Sequence, residues 1–204
     1  MANIGIRLET IYSLVQKGDN VADIGADHGL LGKKLLDNNR VNFIQLVENK
    51  KGPFQALYNG LSLYKDDNRL ELSLSDGISN LNPKVDTLII SGLGGETIIK
   101  ILKDSCEKLK NITKIIVSPH TKLPSVREYL YTNGFKLILE HVVIQTGKIY
   151  VIMAWERSEV NFTVNDIVYG KLRRMDSVLA QQYLEQHKRN LDKQRKLMEE
   201  KYGN

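Results

Sequence analysis

The chain has 204 residues, of which 42% are hydrophobic and 26% charged, with a formal net charge of +5. That suits one full-sized globular domain plus a small addition, able to bury a real core. The single cysteine, Cys106, excludes an internal disulfide and argues for a reducing compartment, and no apolar stretch reaches membrane-spanning length. Residues 1–16 carry charge within a helical period and lack the apolar run of a signal segment, so a soluble, cytoplasmic protein is expected. Cys106 lies in a helix-like stretch and is expected to serve packing. The positive charge suits a polyanionic partner without requiring one.

In chain order, residues 4–17 read as an amphipathic helix with Leu8, Ile11, Leu14 and Val15 on one face. Seven β-rich runs follow, at 20–25, 42–48, 70–75, 86–91, 114–118, 135–145 and 148–156. The spacers after the first five are long enough for crossover helices, which predicts a parallel α/β sheet. The last two runs are separated only by Thr146, Gly147 and their neighbours, which predicts an antiparallel hairpin. Five strands in βα units followed by a hairpin is the layout of a Rossmann-like class I methyltransferase with a seven-stranded sheet.

After Trp155 the composition shifts. Residues 166–202 contain no strand-like run, and Val168, Leu172, Met175 and Leu179, then Leu184, Leu191 and Met198, keep near-heptad spacing. Two apolar stripes imply two helices, expected to pack on each other as an antiparallel, coiled-coil-like hairpin, with Asn165 or Asp166 capping the first. The expected division is a cofactor-binding domain over residues 1–157 and a C-terminal helical appendage over 158–204.

The first strand runs into Asp23-Ile24-Gly25-Ala26-Asp27-His28-Gly29. A Gly-rich turn between a strand and a helix is where such a fold binds a nucleotide. A dinucleotide needs G-x-G-x-x-G so that backbone amides cradle its pyrophosphate, and this loop lacks that spacing. Asp27 in the turn would also repel a pyrophosphate. S-adenosylmethionine carries a sulfonium and an ammonium instead, and both are attracted by Asp23 and Asp27. The same segment also reads as an ordinary turn capped by Asp27. Glu48, followed by Asn49 at the end of the second strand, is placed to accept the ribose hydroxyls, which either cofactor would offer. Asp76 and Gly77 at the third strand end are placed near the adenine.

The fourth strand ends in Ser91-Gly92-Leu93-Gly94-Gly95-Glu96 in place of the proline-aromatic motif of many amino methyltransferases. Its glycines permit close backbone approach to a ligand or a flat base, or simply a tight turn into the next helix. The fifth strand ends in Ser118-Pro119-His120, so His120 is a candidate to line the pocket or stack on a base. Neither His28 nor His120 has a metal-ligand partner at a convincing spacing, and no metal is expected.

DIGADHG at 23–29, VENKKGPF at 47–54, LSDG at 74–77, SGLGGE at 91–96, GKIY at 147–150 and Ile6-Arg7-Leu8 together resemble the TrmK family of bacterial tRNA (adenine(22)-N1)-methyltransferases, over nearly the whole chain. The resemblance implies a cofactor pocket at Asp23, Gly25, Asp27, His28, Glu48, Asp76 and Gly77, and Gly29, Asn49 and Ser91 next to them are further cofactor-binding candidates. The resemblance also implies a methyl-transfer centre near Gly92 and Gly94, a tRNA partner and an adenine in the D-arm as acceptor. Family members often carry a Gln-Pro-Asn-like triplet where this chain has Ser118-Pro119-His120.

Adenine N1 has an in-plane lone pair, so transfer to it requires alignment and stabilisation of positive charge on the base more than a strong base. Asp27 is the first candidate for that stabilisation and His120 for a stacking contact, the target nucleotide being unpaired or extruded. Phosphate contacts are expected from Lys171, Arg173, Arg174, Lys188, Arg189, Lys193, Arg195 and Lys196, with Arg7 and Lys33 near the pocket mouth. The same helical cations also read as a solvated, salt-bridged surface. A monomer is expected. Transfer to another RNA or a small amine, and a non-catalytic RNA-binding role, remain open alternatives at this point.

Overall fold

The structure, a computed structural model, describes residues 4–203. Residues 1–3, which open the stretch expected to lack a signal segment, and residue 204 lie outside the described residues. Strands β1 (Asp19–Ile24), β2 (Val41–Glu48), β3 (Leu70–Leu74), β4 (Thr87–Ser91), β5 (Lys114–Ser118), β6 (Phe135–Gln145) and β7 (Lys148–Arg157) form one sheet in the order β3-β2-β1-β4-β5-β7-β6. The first five are parallel, and β7 runs antiparallel between β5 and β6. The order reverses between β1 and β4, which opens a crevice at the carboxyl ends of the strands.

Side chains alternate across the sheet, so each face has its own apolar cluster. On one face, helices α1 (Ile6–Leu14), α2 (Leu30–Asp37) and α3 (Lys51–Gly60) bury Ile11, Leu31, Leu35 and Leu57 against Val21, Ile44 and Ile89. On the other, α4 (Gly95–Asp104) and α5 (Leu123–Thr132) bury Ile98, Leu102, Val126 and Leu130 against Ala22, Leu88 and Ile115.

The connection from β3 to β4 departs from the expected crossover helices, since no helix occurs between residues 75 and 86. Asn80, Asn82 and Pro83 break helical periodicity there, and a buried side chain takes over the backbone's hydrogen bonds. Gln45 on β2 donates from Nε2 to the Asn80 carbonyl at 2.9 Å and accepts at Oε1 from the Asn82 amide at 2.9 Å. Ile78, Leu81 and Val85 fill the core where a helix would have packed. Cys106 is also not a packing residue. It opens a 3-10 segment after α4 and is exposed.

In the C-terminal segment the two helices do pack on each other, but not as a hairpin standing apart from the sheet domain. Helix α6 (Val164–Tyr169) is short, a 3-10 turn follows at Leu172–Arg174, and α7 (Val178–Tyr202) is long. The stripe through Val168 and Leu172 is broken at Gly170, which has φ 55°. Both segments pack on the sheet domain: Ile167, Val168, Leu172, Tyr183, Leu191 and Met198 belong to the same apolar cluster as Leu130 and Trp155. The N-cap is Thr163, not Asn165 or Asp166. Asp166 sits at the third helical position, where its carboxylate accepts from the Thr163 amide at 2.9 Å, completing a capping box.

A buried ion pair fastens this segment. Arg127 on α5 and Glu140 on β6 meet at 2.7 Å with side chains 1% and 0% exposed. Arg127 Nη1 also donates to the Val168 carbonyl at 2.9 Å, and Glu140 Oε2 accepts from the Lys171 amide at 2.7 Å. The pair therefore satisfies backbone groups left open at the end of α6. A Cβ at Gly170 would lie 2.6 Å from both Arg127 Nε and Glu140 Oε2, so glycine is required on steric as well as torsional grounds. Removing one partner leaves an unpaired charge in the core. Arg127→Ala is expected to cost about 3–5 kcal/mol in urea unfolding, and an apolar replacement of both Arg127 and Glu140 should recover much of that loss.

Candidate active site

The carboxyl ends of β1, β2, β3 and β4 enclose a cavity of about 490 Å³, the size of a small-molecule site. The sequence-derived candidates Asp23, Gly25, Asp27, His28, Glu48, Asn49, Asp76, Gly77, Ser91, Gly92 and His120 all line it. Gly29 and Gly94 do not. Gly29 caps α2 with φ 66°, and a Cβ there would lie 2.6 Å from Leu57 Cδ1, so it serves helix packing. Gly94 is the N-cap of α4, and its neighbour Gly95 lies so close to the Thr121 carbonyl that a Cβ would clash. Part of the glycine cluster thus answers to the close approach of α4 and the loop after β5.

The β1 loop turns through left-handed conformations at Gly25, Asp27 and Gly29, with φ of 76°, 51° and 66°. Its start is held to β2 by the Gly25 and Ala26 amides, which donate to the Val47 carbonyl at 2.8 and 3.1 Å. Aspartate tolerates the left-handed region better than most residues. The Asp27 and His28 side chains are 75% and 70% exposed and approach to 3.6 Å. They form the cavity's rim rather than its floor.

Asp23 is the deep carboxylate. Burial pushes its pKa up to about 7, against a smaller downward pull from the Arg7 guanidinium. A buried carboxylate in that state gains from a cationic ligand more than an exposed one would. Glu48, also buried, accepts at Oε1 from the Asn49 and Lys50 amides at 3.0 and 3.2 Å, which fixes its carboxylate at the start of α3.

Arg7, placed by sequence at the pocket mouth as a phosphate contact, is part of the cavity wall. Its amide donates to Gln145 Oε1 at 3.1 Å, Nη1 reaches Ser91 Oγ at 3.5 Å, and the guanidinium lies 5.4 Å from the Tyr150 ring centroid. Among the described residues, buried Arg7 Nε and Ser75 Oγ have no hydrogen-bond partner. Both residues border the cavity, so these are polar groups left for a ligand to satisfy. His120 packs edge-on to Tyr150 with ring centroids 5.7 Å apart. Its pKa is lowered by burial first and by Arg7 and Lys148 second, which favours the neutral imidazole. Sequence reasoning did not single out Lys50, Thr97 or Lys100, which also line the cavity. Lys50 stands inside the VENKKGPF motif, whereas Thr97 and Lys100 lie on α4 beyond the glycine cluster and carry no pattern of their own.

These residues fit S-adenosylmethionine. Its ammonium and sulfonium suit the Asp23 end, its ribose hydroxyls suit Glu48, and its carboxylate suits the Arg7 guanidinium, whose Nε lacks a partner. A pyrophosphate has no Gly-rich amide cradle here and meets Asp27 in the turn. Among the described residues, no group of three or more His, Cys, Asp or Glu side chains could hold a metal ion.

Lys33 does not line the cavity. Its Nζ donates to the Tyr64 hydroxyl at 2.9 Å and to Asp37 at 3.3 Å. The C-terminal cations lie away from the cavity, on the surface. Lys171, Arg173 and Arg174 occupy the α6–α7 connection, while Lys188, Arg189, Lys193, Arg195 and Lys196 lie along α7. Arg173 stacks 3.7 Å from the Tyr169 centroid, Arg174 lies 3.9 Å from Asp166, and Arg195 pairs with Glu199 at 2.7 Å. No described helix is long and apolar enough to cross a membrane.

Comparison with known proteins agrees with this geometry. The methyltransferase domain family matches residues 4–153. The chain is 27% identical over 154 residues to the tRNA (adenine(22)-N(1))-methyltransferase of Bacillus subtilis, a match spanning 75% of this chain and 65% of that enzyme. It is 31% identical over 163 residues to a putative tRNA methyltransferase of Mycoplasma genitalium, covering 76% and 71% of the two chains. M. capricolum TrmK, solved with S-adenosyl-homocysteine, superposes with a TM-score of 0.83 at 21% identity over 94% of this chain and 87% of its own, a likeness of fold. With the acidic strand ends, the β-sheet order and these matches together, the chain belongs to the methyltransferase domain family, with a putative tRNA methyltransferase among its relatives.

Proposed function

We propose that this protein transfers a methyl group from S-adenosylmethionine to N1 of an adenine, at position 22 in the D-arm of tRNA, acting as a cytoplasmic monomer. The observation that carries the reading is the cavity at the β1–β4 reversal, where buried Asp23 and Glu48 stand with Arg7, whose Nε lacks a hydrogen-bond partner. When bound, S-adenosylmethionine supplies an electrophilic methyl group on a cationic sulfur. Asp23 holds the cationic end, Arg7 the carboxylate and Glu48 the ribose, with Asp76 and Gly77 beside the adenine. Gly25, His28, Asn49 and Ser91 complete that wall.

The acceptor base enters beside Gly92, whose lack of a side chain leaves room next to Arg7. Adenine becomes cationic as N1 is methylated, and the rim carboxylate of Asp27 stabilises that charge. Neutral His120 accepts a hydrogen bond from the exocyclic amine. Residues 1–157 form the catalytic domain, and 158–204 the appendage that meets tRNA. There Lys171, Arg173, Arg174, Lys188, Arg189 and Arg195 engage phosphates.

The direct test is methyl transfer from labelled S-adenosylmethionine to unmodified bacterial tRNA, with nucleoside analysis. N1-methyladenosine mapping to the D-arm is the expected product; transfer to another RNA or to small amines alone would refute the acceptor. Asp27→Ala should lower turnover more than cofactor affinity, and unchanged turnover would remove Asp27 from the mechanism. Replacing Lys171, Arg173 and Arg174 together by Ala should raise KM for tRNA with little change in kcat. The same variant should flatten the salt dependence by about one unit of log–log slope for every phosphate it no longer engages.

Burial of Asp23 also predicts a pH effect on stability. The folded state holds a proton on Asp23 up to about pH 7, whereas its ordinary value is 3.8. Folded chains therefore bind more protons in that window, and the ligand-free protein loses stability as pH rises through it, by on the order of 4 kcal/mol from this group. Urea unfolding of Asp23→Asn should show a weaker decline between pH 4 and about 7 than the wild type.

A further inference from the structure

The β6–β7 hairpin reaches past the carboxyl end of the parallel sheet. Pairing between β5 and β7 stops at Val117 and Met153, yet β6 and β7 stay paired out to Gln145 and Lys148. Tyr150 lies in this overhang, opposite Val143. It belongs to neither apolar cluster, unlike Tyr131 and Tyr183, which are core residues. Two cavity-lining residues converge on its ring instead: His120, edge-on at 5.7 Å, and Arg7, whose guanidinium is 5.4 Å from the centroid. Arg7 is fastened to the hairpin through Gln145 and reaches Ser91 at the end of β4, so the hairpin and the fourth strand end are tied around one space.

We propose that the Tyr150 ring is the platform on which the acceptor adenine stacks, with His120 at the edge of the base and Ser91 and Gly92 beside it. The inference rests on the adenine acceptor proposed above and adds the residue that positions it. An extruded base loses its stacking neighbours, and an aromatic face restores them without sequence discrimination. A half-buried tyrosine outside the core, held between a cation and an imidazole at the mouth of a cofactor cavity, suits that task. Glycine at position 92 leaves room for the Arg7 guanidinium that lies over the ring. Its φ is 79°, and a Cβ there would crowd Arg7 Nη1 at 3.3 Å. Arg7 over the ring supplies a cation–π contact that holds the platform in one orientation.

The test compares wild type with Tyr150→Phe, Tyr150→Leu and Tyr150→Ala, the Leu variant preserving the apolar bulk on the hairpin that Ala removes. Three quantities are measured: kcat/KM for tRNA methylation, affinity for S-adenosylhomocysteine by calorimetry, and quenching of 2-aminopurine riboside by the protein loaded with S-adenosylhomocysteine. The Phe variant should behave like wild type. The Leu and Ala variants should lose about tenfold or more in kcat/KM together with the quenching, while S-adenosylhomocysteine affinity stays near wild type. Wild-type rates in Leu and Ala, a Phe variant as impaired as Ala, parallel loss of cofactor affinity, or no quenching by wild type would each overturn the platform. Ring-dependent quenching without any wild-type transfer to tRNA would refute the tRNA acceptor and support the platform.

Discussion

A carboxylate buried at the end of the central strand is the constraint around which this molecule is arranged. Asp23 must leave water because β1 is flanked on both sides by parallel neighbours and covered on both faces. Its negative charge is poorly tolerated there without a cation. Arg7 reaches the same cavity from an N-terminal helix remote from the loop in sequence, and reduces the cost without pairing fully. The result is a cavity with an acidic end and a basic group that still lacks a partner at Nε. A ligand with separated positive and negative groups completes both ends. A dinucleotide, with negative charge at its middle, does not.

The second structural dependence is that the appendage is continuous with the core. Arg127 and Glu140 are paired with each other and also with the backbone at the end of α6, so the basic α6–α7 connection is held in a fixed relation to α5 and β6. β6 then leads directly into the hairpin whose overhang carries Tyr150. One chain segment thus links the surface proposed to meet phosphates with the residue proposed to meet the base. A substrate gripped by the appendage would be presented to the cavity by rigid elements and not by a flexible tether.

Strand positions were legible because each is a short apolar run bounded by turn residues, and the hairpin because only Thr146 and Gly147 separate β6 from β7. The acidic strand ends Asp23, Glu48 and Asp76 were legible because topology brings successive strand ends together, which residue spacing alone conveys. What escaped was set by long-range packing. Arg7 was placed near the pocket mouth as a phosphate contact, but that its guanidinium forms the cavity wall depends on how α1 packs against the strand ends. Gln45 replaces a helix's hydrogen bonds from a different strand, so the β3–β4 spacer looked long enough for a helix that did not form. The heptad-like stripe around Val168 was real as burial but misleading as a continuous helix, because Gly170 must admit Arg127 and Glu140. Gly29 and Gly94 sat in ligand-like motifs, yet Gly29 answers to packing against Leu57 and Gly94 opens α4 outside the cavity.

The central claim is that a cationic ligand ionises Asp23 in the cavity. Proton release is the most direct evidence for it, measured by titrating S-adenosylmethionine into the protein at about pH 6 in buffers of differing ionisation enthalpy. With Asp23 titrating at about 7, binding should release most of one proton in the wild type and none in Asp23→Asn. Binding with no proton release in the wild type, or with the same release in Asp23→Asn, would contradict the account.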